Sequence, residues 1–247
     1  MNEPTVFVTG GSNGIGAASV RALHARGARV FFTYRSDERA ARALVTELGK
    51  DRCAFAPCDL TATDTLPKVV ELCLARFGCI DVLVNNAGLF ETNPFFGTSY
   101  ADWVRGWNAT FAVNVFGTAN LTYLVLQHMR DRKQGKIVNV ASRAAHRGEL
   151  TFADYGASKA AIVNLTKSIA RACAREGITS VAIAPGFIET QMASEELTRR
   201  RRDIEAEIPM QRVGTPEDVA EAIVFLAFGG NYLNGATIDI NGGSYVR

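Results

Sequence analysis

The sequence predicts an α/β fold: a doubly wound parallel sheet of about seven strands with helices on both faces, in a single domain. Three observations predict it. Short β-branched or aromatic runs alternate with longer amphipathic stretches, the pattern of successive βαβ units. The first strand runs into a glycine-rich loop, Thr9-Gly10-Gly11-Ser12-Asn13-Gly14-Ile15-Gly16, that opens a helix. No linker, low-complexity tract or repeat interrupts the 247 residues, so residues 1–247 are read as one domain.

The apolar run Thr5 to Thr9 is the first strand, a helix follows from about Gly14 to Arg26, and Arg29 to Tyr34 forms the second strand. A helix around Asp37 to Gly49 leads to a strand near Cys53 to Cys58, and a helix near Asp64 to Phe77 leads to Asp81-Val82-Leu83-Val84-Asn85. The second half repeats the rhythm with longer helices. Tyr100 to Arg132 reads as helical, Lys136 to Ala141 as strand, Ala153 to Arg175 as helix and Thr179 to Ala184 as strand. Glu189 to Arg212 breaks the pattern, being charged with little core periodicity, and is expected to be a mobile lid, about residues 187–212. Thr215 as cap and Pro216 at the first helical position start a helix ending near Phe228. Ala236 to Ile240 is the last strand.

An apolar share of 47% with 21% charged residues fits a globular protein with a sizeable core. A net charge of +2 lacks the basic excess of nucleic-acid or membrane-surface binders, so neither partner is expected. The start Met1-Asn2-Glu3-Pro4 has no basic n-region or cleavable apolar segment, and no uninterrupted apolar run approaches the ~18 residues of a membrane span. Cys53, Cys58, Cys73, Cys79 and Cys173 form an odd set without a CxxC pair, which fits reduced thiols in a cytoplasmic protein. His24, His128 and His146 lie far apart without ligand spacing, so no metal is expected.

Gly10, Gly14 and Gly16 sit where a tight turn, close approach to phosphate and a helix N-terminus coincide. With Ser12, Asn13 and Ile15 they form a GxxxGxG loop able to present backbone N–H groups to a diphosphate; the alternative is glycines serving only a sharp turn. About 20 positions beyond such a loop, an acid at the end of the second strand selects NAD(H) and a base selects NADP(H). Tyr34, Arg35 and Ser36 occupy that place, with no carboxylate before Asp37, so NADP(H) is favoured over NAD(H). Asp37 has a competing role at the N-terminus of the next helix.

Tyr155 and Lys159 stand four residues apart, side by side on one helix face. A free phenol titrates near ~10 and is slow as an acid or base at neutral pH. A neighbouring ammonium favours the phenolate, as would the positive charge of an oxidised nicotinamide, so Lys159 is expected to bring Tyr155 into a usable range. Ser142, at the end of its strand, could hydrogen-bond the same reacting oxygen. Alone, a YxxxK pair is commonplace on solvated helices.

Together with Asp59-Leu60, Asn85-Asn86-Ala87-Gly88, Asn114, and Pro185-Gly186 with Thr190, these motifs occur in an order that resembles the short-chain dehydrogenase/reductase family over essentially the whole chain. The resemblance implies a Rossmann-like oxidoreductase moving a hydride between a nicotinamide and a carbonyl or secondary alcohol. It implies that Asp59 and Leu60 border the adenine and that Asn86, Ala87 and Gly88 line the cofactor groove. It further implies that Asn114 helps hold a water chain to Lys159, and that Lys159 binds the nicotinamide ribose. Pro185, Gly186, Ile188 and Thr190 would cover the nicotinamide, and the long helices carrying Asn114 and Tyr155 would pair subunits into a homotetramer or homodimer. For Asn114 the alternative is a polar residue satisfying a helix kink.

The stretch Arg212-Val213-Gly214-Thr215-Pro216-Glu217-Asp218 and the ending Gly242-Gly243 resemble the branch holding 3-oxoacyl-acyl-carrier-protein reductases. A 3-oxoacyl thioester is one substrate class; the alternatives are a sugar, polyol or small-alcohol dehydrogenase, or a non-catalytic nucleotide-binding sensor. Against an acyl carrier protein as partner, Glu176 stands where a basic residue is expected, which leaves Arg130, Arg132 and Lys133 as a candidate patch. Arg143, His146, Arg147 and Glu149 replace small apolar residues beside the catalytic serine, which points to a polar or anionic substrate. The run Arg199 to Arg202, followed by Asp203, Glu205 and Glu207, reads as a solvated helix with internal charge pairs. Tyr100, Trp103, Trp107 and Phe111 fall at helical spacing and are expected to pack.

Overall fold

The computed structural model describes residues 3–246; Met1, Asn2 and Arg247 lie outside the described residues. In chain order the first half comprises β1 (Thr5–Val8), α1 (Gly14–Ala25), β2 (Arg29–Tyr34), α2 (Glu38–Leu48), β3 (Cys53–Pro57), α3 (Leu66–Phe77) and β4 (Val82–Asn85). The second half comprises α4 (Tyr100–Phe111), α5 (Thr118–Arg132), β5 (Gly135–Val140), α6 (Ala144–Arg147), α7 (Ala153–Cys173), β6 (Ile178–Pro185), α8 (Ser194–Glu207), α9 (Pro216–Phe228) and β7 (Thr237–Ile240). The strands form one seven-stranded sheet in the order β3-β2-β1-β4-β5-β6-β7, every neighbouring pair parallel.

Alternation along the strands feeds two separate cores, because successive strand side chains leave opposite faces of a sheet. Val6, Val8, Val30, Phe32, Val82 and Val84 point to a core completed by α1, α2 and α9. Phe7, Phe31, Leu83 and Ile137 point to the other, completed by α3, α5 and α7. The register sets Phe7 beside both Phe31 and Leu83, with the two Phe rings edge to face at 5.3 Å. Truncating either ring to Ala removes about 3–5 kcal/mol of stability.

Between β4, β5 and the helices behind them runs a buried polar chain. Asn85 Nδ2 donates to Asn139 Oδ1 (2.8 Å) and Thr122 Oγ1 (2.9 Å), Asn139 Nδ2 donates to Thr166 Oγ1 (2.9 Å), and Thr166 Oγ1 donates to the Ile162 carbonyl (2.8 Å). Such paired groups fix the relative positions of β4, β5, α5 and α7 more uniquely than apolar contacts would.

Three expectations need correcting. The helix over Tyr100 to Arg132 is not uniform: a π-helical turn, Ala112–Gly117, separates α4 from α5. That 33-residue stretch is long and apolar enough by composition to cross a membrane, but α5 packs Leu121, Val125 and Met129 into the second core. The covering segment has more core periodicity than expected. Ala193, Leu197, Ile204, Ile208 and Val213 bury one side of α8, with Phe187, into a small core of its own, a periodicity hidden by the charges between them. The helix kinks at Arg200 (φ −137°), and its stem is clasped by Glu189 N donating to Gly214 O and Gly214 N to Phe187 O. Trp103, Trp107 and Phe111 do stack in series, whereas Tyr100 remains 83% exposed.

Candidate active site

A cleft of about 510 Å³ opens at the C-terminal ends of the strands, where β1 lies between β2 and β4 and the chain direction of the crossovers reverses. This switch point is where doubly wound sheets bind ligands, since loops diverge there and leave a crevice. The predicted glycine-loop residues, Arg35, Ser36, Asp59, Leu60, Asn86 to Gly88, Ser142, Tyr155, Lys159, Pro185, Gly186, Ile188 and Thr190 all line it.

The glycine loop is tightly seated. Gly10 and Gly14 take positive φ (65° and 50°), and a Cβ on Gly16 would fall 2.0 Å from the Gly10 carbonyl oxygen. Asn86 fixes the loop from beneath, its Nδ2 donating to Thr9 O (2.9 Å) and Gly10 O (3.1 Å). Thr9 Oγ1 in turn accepts from the Asn86 and Ala87 amides, both at 3.0 Å. At the start of α1, Asn13 makes no side-chain cap and no acid occupies the first turn. The helix therefore presents amides and its positive dipole end to the cleft, a fit for a diphosphate.

At the adenosine end, Arg35 and Ser36 face the cleft. Asp37 lines the cleft beside them, its Oδ1 accepting from Ala40 N at 2.9 Å as the cap of α2. Tyr34 is the exception among the predicted cofactor-binding residues. Its ring turns into the first core against Phe55, at 5.7 Å, and does not line the cleft, because the last strand position points inward by the two-residue alternation. Asp59 accepts from Thr61 N and Thr61 Oγ1, and these bonds hold its carboxyl below the usual range.

Asn114 lies in the π turn, buried, and its side chain is spent on structure. Nδ2 donates to Leu89 O and Ser158 Oγ (both 3.0 Å) while Oδ1 accepts from Leu89 N at 2.7 Å. A Cβ on Gly88 would lie 3.3 Å from Asn114 Oδ1 and 3.4 Å from Lys159 Nζ, so both groups border the same small space over Gly88. Helix kink and site are thus served by one residue.

Tyr155 and Lys159 rise from α7 with Lys159 Nζ 5.6 Å from the phenol centroid and donating to Val140 O at 2.9 Å. Burial pushes the Tyr155 phenol up to about 12, opposed by its hydrogen bond with Ser142 and reinforced by Glu149. Burial also pushes Lys159 down to about 8. Against the expected help from Lys159 and an oxidised nicotinamide stands this burial: removal from water disfavours the charged form of both groups. As it stands, Tyr155 is a protonated donor at neutral pH.

The apolar walls of the cleft were missed by the sequence reading. Phe90 stacks on Phe152 at 4.3 Å and meets the Tyr155 ring edge-on at 4.8 Å, while Phe187 and Met192 line the lid side. The one available signal is Phe152, three residues and so one turn ahead of Tyr155. The candidate basic patch is already neutralised: Arg130 pairs with Asp131, Arg132 with Asp81 and Lys133 with Glu176. Three of the four arginines in the run are likewise paired with acids, Arg199 with Glu196, Arg200 with Glu207, and Arg201 with Glu189 and Glu205.

Residues 10–245 match the family described as Enoyl-(Acyl carrier protein) reductase. The chain is 38% identical over 242 residues to an acetoacetyl-CoA reductase of Shinella zoogloeoides, covering 97% of each chain. It is 35% identical to the 3-oxoacyl-[acyl-carrier-protein] reductase FabG of Vibrio cholerae, over 100% of this chain and 99% of that one. Among solved structures, a short-chain dehydrogenase/reductase of Brucella melitensis described as glucose/ribitol dehydrogenase superposes with a TM-score of 0.90 at 34% identity, covering 99% and 97% of the two chains. ElxO with NADP bound superposes at 0.88 with 30% identity, covering 98% and 99%. Cleft, sheet order and these likenesses agree: the chain belongs to the short-chain dehydrogenase/reductase family, in its 3-oxoacyl-acyl-carrier-protein reductase-like branch, and is an oxidoreductase acting on C=O and CH–OH groups.

Proposed function

We propose that this enzyme reduces the ketone of a 3-oxoacyl thioester using NADPH, with Tyr155 as the proton donor. The observation that carries the reading is the continuity of one cleft from the glycine loop and Arg35 to Ser142, Tyr155 and Lys159. When bound, the reduced nicotinamide supplies the hydride. Ser142 and Tyr155 hold the ketone oxygen by hydrogen bonds, and the Tyr155 O–H gives up its proton as charge develops there. Lys159 supplies positive charge beside the resulting phenolate and would also hold the nicotinamide ribose. Arg35, with Asp37 engaged as a helix cap, favours a 2′-phosphate over a bare 2′-hydroxyl.

The paired state of Arg130, Arg132 and Lys133 favours a thioester of coenzyme A over one on an acidic carrier protein. Exposed Tyr100, Phe116 and Tyr123 on α4, the π turn and α5 support pairing of subunits along these helices. The test is oxidation of NADPH by the purified protein with acetoacetyl-coenzyme A, small diketones and sugars, together with NADP+ and the matching alcohols. Turnover of the thioester that disappears in Tyr155→Phe is expected. A protein that binds NADPH yet turns over nothing in either direction would leave the sensor alternative standing, and a preference for sugars or polyols would replace the substrate class.

A further inference from the structure

Arg143 follows Ser142 at the end of β5 and is not used by the chemistry above. Its side chain is only 5% exposed, and its Nη1 reaches neither solvent nor an acceptor among the described residues. The nearest carboxylate, Glu149, stands 3.8 Å from Nε, beyond hydrogen-bonding distance. Burial lowers the guanidinium from its ordinary value and Glu149 and Glu207 only partly restore it. An arginine is nonetheless charged throughout the working pH range, so the structure holds a desolvated cation with donors to spare. Leaving such a group unpaired is costly, and the cost disappears when an anion supplies the acceptors.

The surroundings specify which anion. Arg147 Nε lies 3.9 Å from the same Glu149 oxygen, so two guanidinium groups flank one carboxylate. On the lid side Glu207 is answered by Arg200 at 3.9 Å. Counting these groups, three cations face two acids, and one further negative charge brings the cluster to neutrality. The Phe187 ring lies 4.7 Å from the Arg143 Cζ, and Phe187, Glu149, Ser142 and Tyr155 border the same cleft. Phe187 also packs against the small core of the lid, so the lid forms the roof over Arg143.

We infer that Arg143 forms an anion subsite beside Ser142, and that the preferred substrate carries a carboxylate on its acyl arm. The planar guanidinium fork matches a carboxylate in two parallel hydrogen bonds. The carboxylate meets Nη1 beneath the Phe187 ring, and Glu149 remains between Arg143 and Arg147. The nature of the other arm rests on the thioester reading above; the anion subsite itself does not.

The test compares 3-oxohexanoyl-coenzyme A with its analogue ending in a carboxylate in place of the methyl. Wild type is expected to favour the carboxylate-ended thioester by about tenfold or more in kcat/KM, the size of a charge-assisted hydrogen bond, with the difference lying in KM. The ratio cancels any loss shared by both substrates. Arg143→Gln should bring it close to one, and Arg143→Lys should retain part of it. In parallel, calorimetry should detect binding of glutarate but not of neutral glutaramide, with glutarate weakened about tenfold or more by Arg143→Gln. A wild-type ratio at or below one, or a ratio and glutarate affinity unmoved in Arg143→Gln, overturns the subsite. Reduction of neither thioester, alongside Arg143-dependent glutarate binding, supports the subsite and removes the thioester reading instead.

Discussion

Lys159 stands one helical turn beyond Tyr155, its Nζ 5.6 Å from the phenol ring centre and tethered to the Val140 carbonyl at 2.9 Å. The tether comes from the end of β5, the strand that leads into Ser142, so strand and helix hold the three groups in one geometry. Because burial brings Lys159 to about 8, its charge is present below that pH and lost above it. Ketone reduction should therefore fall with a one-proton slope as pH rises through about 8. Lys159→Met should lower kcat by about 10²–10⁴-fold and remove the break from the pH profile. A break that persists in the variant would assign it to another group.

Arg35 governs the choice of cofactor. Arg35→Asp should lower the NADPH over NADH ratio of kcat/KM by about tenfold to hundredfold, the weight of one or two charge-assisted hydrogen bonds. Since Arg35 is exposed, thermal stability should hardly change. A surviving NADPH preference would show that the 2′-phosphate is met by other residues.

Asn86 acts through the glycine loop. Its carboxamide holds the Thr9 and Gly10 carbonyls, so Asn86→Ala removes two hydrogen bonds, about 1–3 kcal/mol together. Weaker NADPH binding by about tenfold and a lower Tm are expected, measurable by cofactor fluorescence and calorimetry. Unchanged cofactor affinity would mean the loop keeps its shape without this support.

Asp218 anchors the C-terminal foot of the lid. It accepts from Thr215 N (2.7 Å) in a capping box and from Arg212 Nη1 (2.6 Å), and the Arg212 pairing holds its carboxyl well below the ordinary 3.8. A carboxyl lowered in the folded state stabilises fully above its unfolded value and progressively less as pH falls below it. Asp218→Ala should cost about 1 kcal/mol, or a Tm drop of about 2–4 °C at neutral pH. The difference from wild type should narrow below about pH 3.8. An equal Tm at pH 7 would contradict the cap.

Sheet, crossovers and most cleft residues were legible because each rests on a local signal: strand alternation at Val6-Phe7-Val8, glycines at Gly10 and Gly16, and the four-residue step from Tyr155 to Lys159. The rest depends on where distant segments meet. Tyr34 could be placed at a strand end but not on a face, since a single-residue shift of register exchanges core and cleft. The apolar side of α8 was masked by its arginines, and the Phe90–Phe152 stack joins residues 62 apart in sequence. The burial of Tyr155 was hidden for a related reason: charge neighbours are visible in a sequence, whereas exclusion from water is a property of the assembled cleft.

The π-helical turn at Ala112–Gly117 sets the rotational phase of everything after it. One surplus residue in a helix advances the remainder by about 100° around the axis. Upstream, the stripe of Trp103, Trp107 and Phe111 runs along a half-covered flank; downstream, Leu121, Val125 and Met129 plunge into the core. A single-residue deletion within the turn would act less like a shortening than like a twist of a key: α5 would withdraw its apolar teeth from the sheet, and Asn114 would swing away from Leu89 and Ser158.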